Sequence, residues 1–211
     1  MLKTKSLRLY FFIIILLGVF SFTPKVFAST SVDTDITGDT TWNLAGSPYI
    51  IQNDIHVIPA ATLTIEPGVV VKLSQSNILW IDGKLLAEGI FDNKIVFTSI
   101  DDDSYGGDTG DGNLYTAIRG WSALLFTQTA APSTLKYIVI RYSSEGIDFN
   151  HSSNSLVENI EVNNSSRGIL IADSDMTIKN IDIKNANTGL VIIENSHVYG
   201  FNINIENVTG E

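Results

Sequence analysis

Residues 168–189 read GILIADSDMTIKNIDIKNANTG, and the stretches on both sides repeat the same order of residue types. Each unit has a glycine, a short run of alternating apolar residues, a polar turn, a second alternating run and a turn rich in asparagine. The glycines that begin the units lie 22, 21 and 21 residues apart, at Gly146, Gly168, Gly189 and Gly210. A fixed period near twenty residues predicts a solenoid of stacked repeats.

Within each unit the apolar residues alternate with polar ones, and a period of two is typical of strands that bury one face. The residues predicted to face the core are Ile147 and Phe149, Ile169 and Ile171, Leu190 and Ile192, and then Ile160 and Val162, Ile181 and Ile183, and Phe201 and Ile203. A leucine-rich repeat has a similar period, but its Leu-x-x-Leu-x-Leu spacing is not reproduced. The pattern therefore predicts an all-β chain, a right-handed single-stranded parallel β-helix in which each unit is one turn.

Corresponding positions of successive units also predict side-chain ladders. Asn159 corresponds to Asn180, and Asn164 corresponds to Asn185, so their amides are expected to stack at the bends of the coil. On an outer face, Lys136, Glu158 and Lys179 are expected to stack with alternating charge, which stabilises neighbouring strands modestly.

The same alternation continues upstream with less regular turns. The stretch ATLTIEPGVVVKLSQSNILWIDGKLLAEGIFDNKIVFTSIDDDSYGGDTGDG, followed by RGWSALLFT and LKYIVIRYSSEGI, resembles the right-handed parallel β-helix repeat proteins that bacteria and archaea export. Their fold is shared with pectate lyases, in which stacked asparagines also form ladders. The resemblance spans residues 41–210 and implies the fold, whereas it implies little about activity because one fold serves many functions.

The first 28 residues have the layout of a secretory signal peptide, with basic residues, an apolar run and a small residue, Ala28, before the predicted cleavage point. A retained membrane anchor is the alternative, but the apolar run from Leu9 to Phe22 is shorter than the roughly 20 residues of a spanning helix. The predicted organisation is a signal peptide at 1–28, a leader at 29–40 and a β-helix domain at 41–211. Localisation is therefore expected to be secreted or at the cell surface, with no membrane span after cleavage.

Charge and composition exclude several classes of function. Residues 1–28 hold four of the 13 basic residues and no acidic ones, so the mature chain has nine basic against 23 acidic residues, a net charge of −14. Nucleic acid is not an expected partner, because phosphate binding needs clustered cations. The chain has no cysteine, which excludes disulfides and zinc sites made of thiolates.

The strongest local signal for a ligand is DDDSYGGDTGDGN, residues 101–113, with five carboxylates and four glycines among 13 residues. Carboxylates this close repel one another unless they are solvated or bridged, and Ca²⁺ prefers such oxygen ligands. The stretch departs from the EF-hand template, which has a glutamate at its twelfth position. The two readings are a flexible acidic loop and a calcium site, and the ligands predicted for calcium are Asp101, Asp103, Asp108 and Asp111.

No catalytic set is recognised. The polygalacturonase combination of Asn-x-Asp, Asp-Asp, Gly-His-Gly and Arg-x-Lys is absent as a set, with only Asp101-Asp102 matching a fragment. His56, His151 and His197 have no acidic neighbour at motif spacing, which favours structural roles. Arg141 and Lys184 occupy corresponding positions, so a basic spot beside Glu161 and Asp182 is one interpretation, and a solvated outer face is the other.

Two features suggest a partner surface. The outward positions of the first strand in each unit change from Asp148 to Leu170 and then to Val191 and Ile193, so an apolar stripe grows toward the C-terminus. The chain also stops in the middle of a unit without a capping element. We therefore expect the β-helix to lack a C-terminal cap, as a fragment or as a chain completed by a neighbour. An uncapped edge of this kind also predicts self-association through that edge.

Together these patterns predict an exported, cell-surface or extracellular β-helix that binds a polysaccharide or a surface protein, or that spaces other domains, without catalysis. Six aromatic residues are candidates for stacking against sugars: Trp80, Trp121, Tyr105, Tyr115, Tyr137 and Tyr142. The alternative is a polysaccharide lyase or glycoside hydrolase of the pectate-lyase-like fold, with the carboxylates of residues 101–111 at its cleft.

Overall fold

The computed structural model describes residues 29–109, 120–152 and 154–210, so the predicted signal peptide lies outside the described residues. The strands are β1 (Thr30–Val32), β2 (Thr40–Trp42), β3 (Tyr49–Ile51), β4 (Ile55–Val57), β5 (Thr62–Ile65), β6 (Val70–Leu73), β7 (Ile78–Ile81), β8 (Lys84–Glu88), β9 (Ile95–Ser99), β10 (Trp121–Phe126), β11 (Thr134–Arg141), β12 (Ser143–Asn150), β13 (Leu156–Asn163), β14 (Arg167–Ala172), β15 (Asp175–Lys184), β16 (Thr188–Ile193) and β17 (His197–Glu206). A 3₁₀ turn spans Leu44–Gly46.

The strands form two sheets that wind around one core. One sheet has eleven strands, with β1-β3-β6-β9-β11-β13-β15-β17 along its length and β2-β5-β8 joining at β11, and the other has six, in the order β16-β14-β12-β10-β7-β4. Each pairing between these strands is parallel. The chain is therefore a parallel β-helix of about eight turns, as the sequence predicts.

The coil has three faces. The first face consists of β2, β5, β8 and the N-terminal halves of β11, β13, β15 and β17. The second face consists of β1, β3, β6, β9 and the C-terminal halves of the same four long strands, and the third face is the six-stranded sheet. Parallel pairing begins at β1, so strands within residues 29–40 already belong to the stack.

The core is a continuous column of side chains that face inward from all three faces. It runs from Val32 to Ala186, and Phe126 and Phe149 stack within it on adjacent turns with ring centroids 4.5 Å apart. Alternation along each strand sends every second side chain into this column, which is why period two predicted most of its members.

The prediction that Phe201 faces the core is wrong. In the structure Phe201 pairs with Lys179 on the outer surface, whereas Ile203 and Ile205 continue the inward rows. The turn before β17 holds one residue more than the turn before β15, and a shift of one residue moves side chains to the opposite face. The exposed aromatic ring of Phe201 therefore belongs to the first face.

Residues in the left-handed conformation make the bends. Between the first and second faces they are Tyr137, Asn159, Asn180 and Asn202, and between the second and third faces they are Tyr142, Asn164, Asn185 and Asn207. The amide of Asn180 donates to Asn159 Oδ1 at 2.8 Å, and that of Asn202 donates to Asn180 Oδ1 at 2.7 Å. Asparagine tolerates this conformation better than most residues. The predicted correspondences of Asn159 with Asn180 and of Asn164 with Asn185 are confirmed, and the amide ladder is seen between Asn159 and Asn180.

The predicted charge ladder on the first face is also confirmed in register. Lys136, Glu158 and Lys179 are successive strand partners. Lys179 Nζ lies 2.7 Å from Glu158 Oε1, and Lys136 Nζ lies 3.3 Å from Glu88 Oε2. Half-exposed pairs of this kind contribute little stability each.

A mostly apolar row runs along the outside of the third face. Its members in successive turns are His56, Trp80, Leu125, Asp148, Leu170 and Val191. Asp148 is only 9% exposed, and its Oδ1 has no hydrogen-bond partner. Burial raises the pKa of Asp148, the nearby Glu145 raises it further, and Arg167 opposes the rise.

We expect Asp148→Leu to stabilise the protein at pH 7 by about 1 kcal/mol, because it removes a buried, unpaired carboxylate oxygen between two leucines. A raised pKa means that the folded state binds the proton of Asp148 more tightly than the unfolded state does. Protonated Asp148 therefore contributes stability that is fully present below the pKa of the unfolded state and is lost as the pH rises through the pKa of the folded state. The advantage of the variant should therefore shrink as the pH approaches about 4. Thermal melts at pH 7 and pH 4 measure it, and an advantage that is equal at both values contradicts the explanation.

At the C-terminal end of the stack, β17 is the last strand of the eleven-stranded sheet. The apolar side chains Ile192 and Ile205, which face along the core column, are exposed there. Self-association through this edge stays a prediction.

Candidate functional site

The second face is divided along its length into a covered part and an open part. One outward row runs through Val70, Val96, Val139, Glu161, Asp182 and Asn204. The three valines form a small buried cluster under Tyr105, whereas the other three residues line an open groove. The change from apolar to polar residues in this row therefore separates a packing surface from a candidate binding surface.

The acidic stretch supplies the cover of the first part. Asp102, which is 7% exposed, accepts from Thr98 Oγ1 at 2.6 Å and lies 3.1 Å from Arg141 Nη1. The guanidinium of Arg141 also lies over the Tyr105 ring, 5.1 Å from its centroid. The buried side chain of Lys72 donates to the carbonyl of Gly107. Two cations of the protein itself therefore bridge this acidic stretch to the second face.

The predicted calcium ligands are only partly described. Asp101, Asp103 and Asp108 do not form a group with ligand atoms within 4.8 Å of one another among residues 29–109, 120–152 and 154–210, and Asp111 lies outside those residues. Asp103 Oδ1 is buried without a hydrogen-bond partner. Calcium at this stretch stays a prediction. The residue that anchors the stretch is Asp102, which sequence reasoning did not select.

The open groove lies beside this cover and has a volume of about 250 Å³. Its lining combines aromatic, amide and charged side chains: Phe91, Lys94, Tyr137, Asn159, Ile160, Glu161, Asn180, Ile181, Asp182, Asn202 and Asn204. A second cavity of about 350 Å³ extends toward Tyr105 and shares Phe91, Lys94 and Glu161 with the first. An ion pair between Lys94 and Glu161 therefore stands between the two halves of one groove.

Adjacent turns place Glu161 and Asp182 side by side in the groove. Glu161 pairs with Lys94, and Asp182 Oδ2 lies 2.9 Å from Lys184 Nζ. The amide of Asn204 donates to Asp182 Oδ1 at 2.9 Å. Each carboxylate thus has its own cation, an arrangement that suits hydrogen bonding to hydroxyl groups.

The predicted basic spot is only partly formed. Arg141, Asn163 and Lys184 are successive strand partners as expected, but Arg141 turns toward Asp102 and Lys184 turns toward Asp182. The hydrogen bond with Asp182, and then the charge of Asp182, raises the pKa of Lys184. Lys184 therefore remains protonated beside Asp182 at neutral pH.

The structure distributes the candidate aromatic residues among different roles. Tyr137 lines the groove, Trp121 is buried in the core, and Tyr105 and Tyr142 pack against Arg141. Trp80 stacks on His56 on the third face, and Tyr115 lies outside the described residues. The most exposed aromatic wall of the groove is Phe91, which the sequence did not single out.

Each histidine has an aspartate partner that sequence reasoning missed. His56 Nδ1 lies 2.7 Å from Asp82 Oδ2, His151 Nε2 lies 3.0 Å from Asp173 Oδ2, and His197 Nδ1 lies 2.8 Å from Asp175 Oδ1. The partners are 26, 22 and 22 residues away along the chain, which is about one turn. Because each aspartate lies about one repeat away from its histidine, the repeat period was the sequence signal that could have revealed these pairs.

Comparison with known proteins adds a partial similarity. No protein-family model matches the chain, and no solved structure matches it. An 81-residue stretch is 36% identical to the Protein bark beetle of Drosophila melanogaster, covering 36% of this chain and 3% of that protein. The match is thus to a small segment of a much longer protein. Separately, none of the described residues forms a helix long and apolar enough to cross a membrane.

Proposed function

We propose that this chain is an exported, cell-surface or extracellular β-helix module that binds a glycan in the groove of the second face without cleaving it. The groove carries the proposal, because an exposed aromatic side chain lies beside a row of amides and paired carboxylates that can hydrogen-bond sugar hydroxyls. The signal-peptide pattern of residues 1–28 supports export.

Several observations favour binding over catalysis. Glu161 is paired with Lys94 of the groove and Asp182 with Lys184 beside it, and the raised pKa of Lys184 keeps its amine protonated, so that it cannot accept a proton at neutral pH. The amides of Asn159, Asn180 and Asn202 stand in a hydrogen-bonded row along one wall. A rigid row of this kind with the period of the coil suits a ligand that is itself a repeating chain.

The test compares two exposed aromatic residues. Phe91, in the groove, is 74% exposed, and Tyr199, on the first face, is 76% exposed, so neither substitution by alanine should disturb folding. The purified protein and both variants are incubated with a panel of acidic and neutral polysaccharides, and retention and new sugar ends are measured. We expect Phe91→Ala to weaken retention about three- to tenfold, since one stacking ring contributes roughly 1 kcal/mol, and Tyr199→Ala to leave it unchanged.

Each other outcome identifies a different function. Equal retention by all three proteins would place the glycan elsewhere. New sugar ends would show a lyase or glycosidase and direct attention to the groove carboxylates. If no polysaccharide retains the protein, glycan binding is ruled out and a protein-binding or spacing module remains.

A further inference from the structure

The bend between the third and first faces carries a stack of three potential metal ligands. His151, Asp173 and Glu194 occupy it in successive turns, directly after the paired residues Asn150, Ala172 and Ile193. All three have positive φ, at 56°, 49° and 60°, which fixes their Cα–Cβ directions in the same way at each turn. One imidazole nitrogen and two carboxylate oxygens lie within 4.8 Å of one another. We propose that this stack binds a divalent transition-metal ion such as Zn²⁺.

The orientation of His151 supports a ligand role. Its Nδ1 hydrogen-bonds Asn150 Oδ1, and because an amide oxygen only accepts, Nδ1 carries the proton. In the neutral imidazole, Nε2 then presents its lone pair toward Asp173 Oδ2, 3.0 Å away. Two electron-rich atoms at that separation need a cation between them or a proton on the ring. Metal-binding histidines are held in this way, with the second ring nitrogen donating to an oxygen.

Asp173 is held on its other side. The amide of Asn195 donates to Asp173 Oδ1 at 3.1 Å, which leaves Oδ2 directed at the imidazole. Glu194 comes from the next turn and is exposed, as is His151, so an ion can enter from solvent and keep water at its remaining positions. Ligands of a tetrahedral zinc ion lie about 3.4 Å apart. Small rotations of the exposed side chains therefore suffice to close the group.

The ligand chemistry selects the class of ion. Imidazole nitrogen together with carboxylate oxygen suits Zn²⁺, Ni²⁺ or Cu²⁺, whereas Ca²⁺ takes oxygen ligands. This group is independent of the aspartates of residues 101–111 and of the groove. A metal ion held here joins three consecutive turns, so its binding stabilises the C-terminal part of the stack.

The test uses the purified protein without a histidine tag, titrated with Zn²⁺ by calorimetry and with Co²⁺ by visible absorption. His151→Asn keeps a residue that tolerates positive φ, and Glu194→Gln keeps the shape of the side chain. His197→Asn is the matched control, because His197 also pairs with an aspartate one turn away but belongs to no group of three ligands in the described residues.

We expect one Zn²⁺ per chain, affinity reduced about tenfold or more by either ligand variant, and no change in the control. Zn²⁺ should also raise the melting temperature of the wild type but not that of His151→Asn. Metal-free circular dichroism verifies that the variants fold, and Glu194→Gln still tests the site if His151→Asn does not. Absence of Zn²⁺ binding, or equal binding by wild type and Glu194→Gln, would overturn the proposal.

Discussion

Gly146→Ala is expected to lower the free energy of unfolding by about 2 to 6 kcal/mol, the combined effect of a left-handed backbone and a close contact between turns. Gly146 has a φ of 62°, and a Cβ added to it would lie 2.0 Å from the carbonyl oxygen of Gly168 on the next turn. The distance between turns is set by the parallel hydrogen bonds on both sides, so the neighbouring backbone has little room to move.

Chemical denaturation measures the effect, with Gly38→Ala as the control. Gly38 has no atom within 4 Å of an added Cβ and no positive φ, so alanine there should change stability by less than about 0.5 kcal/mol. Hydrogen exchange should show the loss of protection concentrated in β12 and β14, because each turn of a solenoid contacts only its neighbours. Equal midpoints for the two variants would mean that the contact at Gly146 is relieved without loss.

Asp102→Ala is expected to have the second-largest effect, a loss of about 2 to 4 kcal/mol together with release of the acidic cover. The substitution leaves the charge of Arg141, which is itself mostly buried, without its carboxylate, and it removes the acceptor for Thr98. The cover should then separate from Val70, Val96 and Val139, exposing an apolar patch. Faster proteolysis within residues 100–109 and increased binding of a hydrophobic dye measure the release.

The neighbouring Asp103 provides the control. Its Oδ1 is buried without a hydrogen-bond partner, so Asp103→Asn should leave stability unchanged or raise it slightly. If Asp102→Ala and Asp103→Asn behave alike, the anchor of the cover is elsewhere. Adding Ca²⁺ in the same proteolysis assay also tests the predicted calcium site, since a bound ion should protect the wild-type cover.

The fold was predictable because its signals are local. Alternation within each strand and the recurrence of glycine and asparagine about every 21 or 22 residues depend only on neighbours along the chain and on the repeat length. These signals placed Ile147, Ile169 and Leu190 in one inward row, and Asn159 and Asn180 at one bend, as the structure has them.

The candidate sites depended on distances that the chain sequence does not state. One additional residue in the turn before β17 moved Phe201 outward, and loops of unequal length brought Phe91 and Lys94 to the groove and Tyr105 onto the valines. The aspartate partner of each histidine lies on a neighbouring turn. Alternation and repeat length are therefore readable from the sequence alone. Contacts between side chains a turn apart, and the path of each irregular loop, follow only from the packing of turns about 4.8 Å apart.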